Sequence, residues 1–210
     1  MSSLNAGFET KRSGTGVLTI GKEIGYEALP LAQMDFDKAK KDCRILFVNP
    51  PVDFSVFYAD MDLSDTKSSS PPIGILHLAA MARAYGYDVK LVDAHAEGVT
   101  IPQLLKIVAE YQPAVVCLTA MTIMIDAAAE LTKAVKEFFP TVITMIGGVH
   151  LTAEPSKTLQ QYPQFDFGVV GEGEIVLIDF LDALLNHRPL ESVQSLVWKD
   201  GEQVRINPRR

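Results

Sequence analysis

The sequence predicts an α/β fold: a five-stranded parallel sheet with helices on both faces, followed by a C-terminal β-hairpin. Three observations carry it. From Cys43 onward, short β-branched or aromatic runs alternate five times with stretches of helical period. The middle runs, 114–118 and 142–146, are apolar at nearly every position, as strands covered on both faces are. Near the end, Asp200-Gly201 separates two runs, 195–198 and 204–206, in the manner of a hairpin turn.

Residues 1–42 form a polar, Gly- and Ser-containing extension, expected to be partly ordered at best. Arg44-Ile45-Leu46-Phe47-Val48 is the first strand, stopped by Asn49-Pro50-Pro51. After a long loop, 52–72, Ile75, Leu78, Ala79 and Ala82 share one face of a helix over 74–85, which Gly86 caps. The second strand covers 88–92. A helix over 101–111 takes Pro102 in its first turn. Strand three, 114–118, precedes a helix over 125–139. Strand four, 142–146, runs into Gly147-Gly148-Val149-His150-Leu151-Thr152, with a short helix near 154–161. The fifth strand, 167–170, leads through Gly171-Glu172-Gly173-Glu174 into a helix ending near 186. The expected organisation is an extension (1–42), one domain (43–190), and a hairpin with linker (191–210).

A chain of 210 residues is long enough for one full core. Its 19 basic and 26 acidic residues leave a net charge of −7, with no basic surplus for phosphates, so nucleic acid is not an expected partner. No run reaches membrane-spanning length and no secretory signal is visible, so the expected location is the cytoplasm. Cys43 and Cys117 are the only cysteines. An iron–sulfur cluster or structural zinc needs three or four closely spaced ligands, so neither can be built. Both thiols read as small buried hydrophobes.

The chemistry concentrates at the strand ends. Gly147-Gly148 leaves bare backbone where open α/β sheets bind ligands, and the same pair also suits a plain tight turn. Thr119 and Thr122 offer hydroxyls either to a ligand or to the cap of the next helix. Glu172 is expected to face the ligand, while Glu174 suits the positive end of its helix. His150 is expected to line the same pocket, His77 to sit mid-helix, and His187 to face a helix dipole. Met121, Met124 and Met145 read as core filler.

Taken in order, strand-Asn-Pro-Pro, Pro-Pro-x-Gly opening a helix, Thr-Ala-Met, Gly-Gly-x-His-x-Thr and Gly-Glu-Gly-Glu resemble the cobalamin-binding domain of cobalamin-dependent radical S-adenosylmethionine enzymes, over about residues 43–207. The resemblance implies a flavodoxin-like (Rossmann-like) sheet that holds cobalamin over the carboxyl ends of its strands. The positions it implies are Asn49, Pro50 and Pro51 after strand one, and Ser69, Pro72 and Gly74 before the first helix. After strand three they are Thr119, Ala120, Met121 and Thr122; after strand four, Gly147, Gly148, His150 and Thr152; after strand five, Gly171, Glu172 and Gly173.

Such domains also resemble a methyltransferase pattern of D-x-H-x-x-G, S-x-L and Gly-Gly. Thr119-Ala120-Met121 takes the S-x-L place, with twenty-five residues between Met121 and Gly147. Asp93-Ala94-His95-Ala96-Glu97-Gly98 matches the first motif literally, yet it follows strand two, and only twenty residues separate Gly98 from Thr119. The counterpart that opens the first helix is Gly74, with forty-four residues before Thr119. The Asp and His places then hold Ser69 and Pro71, and Pro71 cannot ligate cobalt. His95 is not the expected ligand, and cobalamin is expected base-off with no histidine below cobalt. The protein's lever over such a cofactor is axial ligation.

In this family a C-x-x-x-C-x-x-C motif binds a 4Fe-4S cluster and S-adenosylmethionine in a catalytic domain, and this sequence has no such motif. The chain is expected to be the non-catalytic half, with that domain in cis or in trans. The parent enzymes methylate unactivated carbon or phosphorus, or close a tetrapyrrole ring. Two alternatives stay open: a cofactor-free docking domain, and a small-molecule or signalling module on the same fold. A response-regulator module would need acids where Asn49 and Thr119 stand.

Overall fold

In a computed structural model the described residues are Lys40, 42–51 and 70–209. Most of the expected extension and of the loop 52–72, including Ser69, lies outside them. Five strands run parallel: β1 (Ile45–Asn49), β2 (Val89–Asp93), β3 (Val115–Thr119), β4 (Ile143–Gly147) and β5 (Phe167–Val169). The hairpin is β6 (Leu196–Asp200) and β7 (Gln203–Ile206).

The sequence reading is corrected on strand count. The hairpin is no appendage: β6 pairs antiparallel with β5, matching Phe167 with Trp198, and one seven-stranded sheet results, in the order β2-β1-β3-β4-β5-β6-β7. Pairing with β6 satisfies the backbone groups that β5 would otherwise leave open as an edge. It also buries Leu196 and Val197 on opposite faces. Local alternation and a turn signal cannot reveal which older strand a hairpin joins.

Seven α-helices are described. They are α1 (Ile73–Ala84), α2 (Ala94–Glu97), α3 (Ile101–Tyr111), α4 (Ile125–Phe138), α5 (Val149–Ala153), α6 (Pro155–Gln161) and α7 (Glu174–Leu185). The start of α3 follows from its residues: Thr100 N–H donates to Gln103 Oε1 at 2.8 Å, and Pro102 needs no partner in the first turn. The sequence did not predict α2 or α5, which are single turns made from the two motif stretches after β2 and β4.

Strand alternation builds two cores. Ile45 and Phe47 face one side with Val115, Cys117, Met145 and Val169, under α1 and α7. Leu46 and Val48 face the other with Val116, Leu118 and Ile146, under α3 and α4. Each fully buried Phe or Leu contributes roughly 1.5–3 kcal/mol. Strand order reverses between β1 and β3, and in such sheets the crevice at that switch, outside the carboxyl ends, is the place for a ligand.

Candidate functional site

A cavity of about 380 Å³ lies at that edge, between the sheet and helices α1 and α7. Its floor is the side-chain row Phe47, Cys117, Met145 and Val169. Gly147 continues this row, because residues two apart in β4 share a face and Thr119 pairs with Gly147 in register. The walls come from Gly74, Ile75 and Leu78 of α1 and from Gly173, Glu174 and Leu177 at the start of α7. The slot is mostly apolar, with Thr119, Thr152, Glu172 and Glu174 the lining residues that carry a hydroxyl or an acid.

The two adjacent glycines do different work. A Cβ built on Gly147 would meet nothing nearer than the Leu118 carbonyl oxygen at 3.9 Å, so the missing side chain there is open cavity. Gly148 has φ +98°, and a Cβ there would stand 2.6 Å from Ala120 O and 2.9 Å from Thr119 Oγ1. Backbone bonds explain that approach: Ala120 N–H donates to Gly147 O at 3.1 Å, and His150 N–H to Ala120 O at 3.2 Å. Gly147 thus leaves open space in the cavity, and Gly148 makes the tight turn.

Of the positions singled out in the sequence, Gly74, Thr119, Gly147, Gly148, Thr152, Gly171, Glu172 and Gly173 line the cavity together. Thr152 Oγ1 accepts from Gly171 N–H at 3.0 Å, tying the loop after β5 to α5. Gly171, at φ +82°, has nothing within 4 Å of an added Cβ. Asn49, Pro50, Pro51, Pro72, Ala120, Met121, Thr122 and His150 are not among the lining residues. His150 is not itself a lining residue: its Nδ1 lies 3.2 Å from Thr122 Oγ1, next to Val149 and Thr152, which are. Met121 is no core filler either, being 47% exposed, whereas Met124 and Met145 are buried.

Asn49 is spent elsewhere. It is 8% exposed, and its Nδ2 donates to Asp93 Oδ1 at 2.8 Å, joining the ends of β1 and β2. Asp93 Oδ1 also accepts from Ala96 N–H at 3.1 Å, and Gly98 ends α2 at φ +64°. The literal D-x-H-x-x-G stretch is therefore a capped helical turn beside an edge strand, and His95 is not among the cavity's lining residues.

Sequence reasoning missed the apolar floor, since buried strand residues look like ordinary core. It also missed the contact between His77 Nδ1 and Glu174 Oε1, at 3.1 Å, which joins residues 97 apart in the chain. Both cysteines are buried, as expected. Burial pushes the Cys43 thiol up to about 11. Burial raises Cys117 too, and neighbouring Cys43 adds to it. Protonated thiols are poor metal ligands. Among the described residues no group of three His, Cys, Asp or Glu could hold a metal ion, and no helix is long and apolar enough to cross a membrane.

Known proteins share parts of this sequence and this fold. A family model described as the B12 binding domain matches residues 62–181. An uncharacterized methyltransferase of Pyrococcus horikoshii is 32% identical over 170 residues, covering 81% of this chain and 36% of the relative. The anaerobic magnesium-protoporphyrin IX monomethyl ester cyclase of Synechocystis sp. is 29% identical over 163 residues, covering 77% and 32%. This chain therefore spans about a third of the length of these relatives.

Among solved structures, the radical S-adenosylmethionine methyltransferase TsrM from Kitasatospora setae superposes with a TM-score of 0.66 at 17% identity, over 79% of this chain and 30% of that one. The cobalamin-dependent S-adenosylmethionine radical enzyme OxsB gives 0.65 at 19%, over 80% and 22%. At such identities the likeness speaks for the fold. The family match reaches further, for it covers more than half of the chain and takes in α1, β2 to β5 and every glycine of the cavity. This chain belongs to the B12 binding domain family.

Proposed function

We propose that the chain is the cobalamin-binding module of a radical S-adenosylmethionine methyltransferase or cyclase-like enzyme, and that the slot between the sheet and α1 and α7 takes the cofactor's nucleotide tail. The observation that carries this is the open Cβ direction of Gly147 above an apolar floor. A flat aromatic tail needs a narrow apolar slot with no side chain projecting from its wall, and Gly147 and Gly171 leave that space. Thr119 has a hydroxyl suited to the tail's polar part, and Glu172 is a second polar residue of the lining. When bound, cobalamin supplies a cobalt centre able to carry a methyl group.

In this reading the tail is detached from cobalt and no histidine replaces it. Pro71 supports this, and neither His95 nor His150 is among the cavity's lining residues. The protein's own residues orient the cofactor and keep its lower face free of a nitrogen ligand. A catalytic domain, in cis or in trans, supplies the 4Fe-4S cluster and S-adenosylmethionine. The two buried cysteines here do not serve that purpose. The same reading puts the protein in the cytoplasm, where free thiols persist, with no role in nucleic-acid binding at a net charge of −7.

Paired absorbance titrations test this. Hydroxocobalamin is expected to bind, and cobinamide, which lacks the nucleotide tail, to bind far more weakly. Equal affinity for both would remove the tail from the slot.

A further inference from the structure

Two neighbouring contacts join α1 to α7 along the outer wall of the cavity. His77 Nδ1 lies 3.1 Å from Glu174 Oε1. One residue away on each helix, Leu78 rests on Gly173, where an added Cβ would stand 3.2 Å from Leu78 Cδ2. Leu78, Gly173 and Glu174 line the cavity, while the His77 side chain stands outside it, 66% exposed against 23% for Glu174. Farther along both helices, Ala79, Ala82, Phe180 and Ala183 are buried in one cluster, so packing alone closes that end. Among the described residues no other hydrogen bond or ion pair links the two helices.

We propose that the His77–Glu174 pair is a latch across α1 and α7, setting how fast a ligand's tail enters and leaves the slot without setting how tightly it is held. This rests on the reading that the slot takes the nucleotide tail of cobalamin. A tail passing the rim must part the first turns of α1 and α7. That separation breaks the His77–Glu174 contact, which can re-form once the tail is seated. A bond present at both ends of the process and broken midway affects the barrier alone. It therefore slows entry and release equally. One partly exposed hydrogen bond of this kind corresponds to a rate factor of between about two- and tenfold.

Stopped-flow measurement of hydroxocobalamin association and release tests the latch. His77→Ala is expected to raise both rates within that range and to leave Kd unchanged. His77→Gln keeps a donor for Glu174 and is expected to restore the wild-type rates. In the ligand-free protein, amide hydrogen exchange should quicken in the first turns of α1 and α7 and stay unchanged in β3. Wild-type rates in His77→Ala would overturn the latch and leave the cobalamin reading standing. Exchange quickened throughout the fold would overturn it as well, since it marks a purely structural pair. A wild-type chain that binds no cobalamin would overturn both proposals.

Discussion

Substituting the two adjacent glycines separately should split fold from ligand. At Gly148 a side chain meets a backbone fixed at φ +98°, costing an L-residue about 1–3 kcal/mol. Its Cβ would also stand 2.6 Å from Ala120 O, and neither backbone can yield without loosening the end of β3. Crowding of that kind adds about 1–3 kcal/mol. Gly148→Ala is thus expected to lose about 2–6 kcal/mol, a fall in Tm of roughly 4–24 °C for a domain of this size. Gly147→Val enters open cavity from an extended strand position, where a β-branched residue fits, so stability should stay within about 1 kcal/mol of wild type.

Its isopropyl group competes with the ligand for the slot. Overpacking of about 1–3 kcal/mol translates into a Kd for hydroxocobalamin weaker by about 5- to 150-fold. Thermal unfolding followed by circular dichroism reads the first effect, and absorbance titration the second. A Gly148→Ala protein as stable as wild type, or a well-folded Gly147→Val protein with unchanged Kd, would refute this division of labour.

Asn49→Ala should cost about 1–2 kcal/mol in chemical denaturation, because Asp93 loses a nearly buried donor, with no change in the affinity for hydroxocobalamin; a tenfold weaker Kd would bring Asn49 into the ligand site. Raised thiol pKa values predict an alkaline limit to stability. The folded state favours protonated Cys43, whose pKa stands at about 11 against 9.0 for a free thiol, so stability should hold below pH 9 and decline as pH rises toward 11. Denaturant midpoints against pH check this, and a Cys43→Ala protein with an undiminished decline from this range would contradict it. In electron paramagnetic resonance of the Co(II) form, replacing His77, His95, His150 or His187 singly by Ala should leave the spectrum unchanged. Nitrogen splitting that vanishes in His95→Ala would restore the literal motif as a cobalt site.

The strand ends were legible in the sequence because glycine, proline and small hydroxyl residues act through local backbone geometry. Gly147, Gly171 and Thr119 stood out for that reason, and they meet at one cavity. Asn49 and His150 stood out equally, but their contacts with Asp93 and Thr122 are ones that only the fold supplies. The cavity floor was invisible for the opposite reason. Phe47, Cys117 and Met145 read as core, and whether a core residue faces packing or a slot depends on the helix above it. The union of hairpin and sheet was likewise a long-range matter, decided by the unpaired side of β5.

Nuclear magnetic resonance can locate the cofactor directly, by comparing amide spectra with paramagnetic Co(II) cobalamin and with its diamagnetic Co(III) form. Broadening is expected at Thr119, Gly147, Gly171 and Gly173 around the cavity mouth, with Ala114 and Phe139, before β3 and β4 at the opposite edge of the sheet, keeping sharp signals. Broadening at Ala114 and Phe139 with sharp signals at the glycines, or no broadening anywhere, would contradict a cobalamin site at the strand ends.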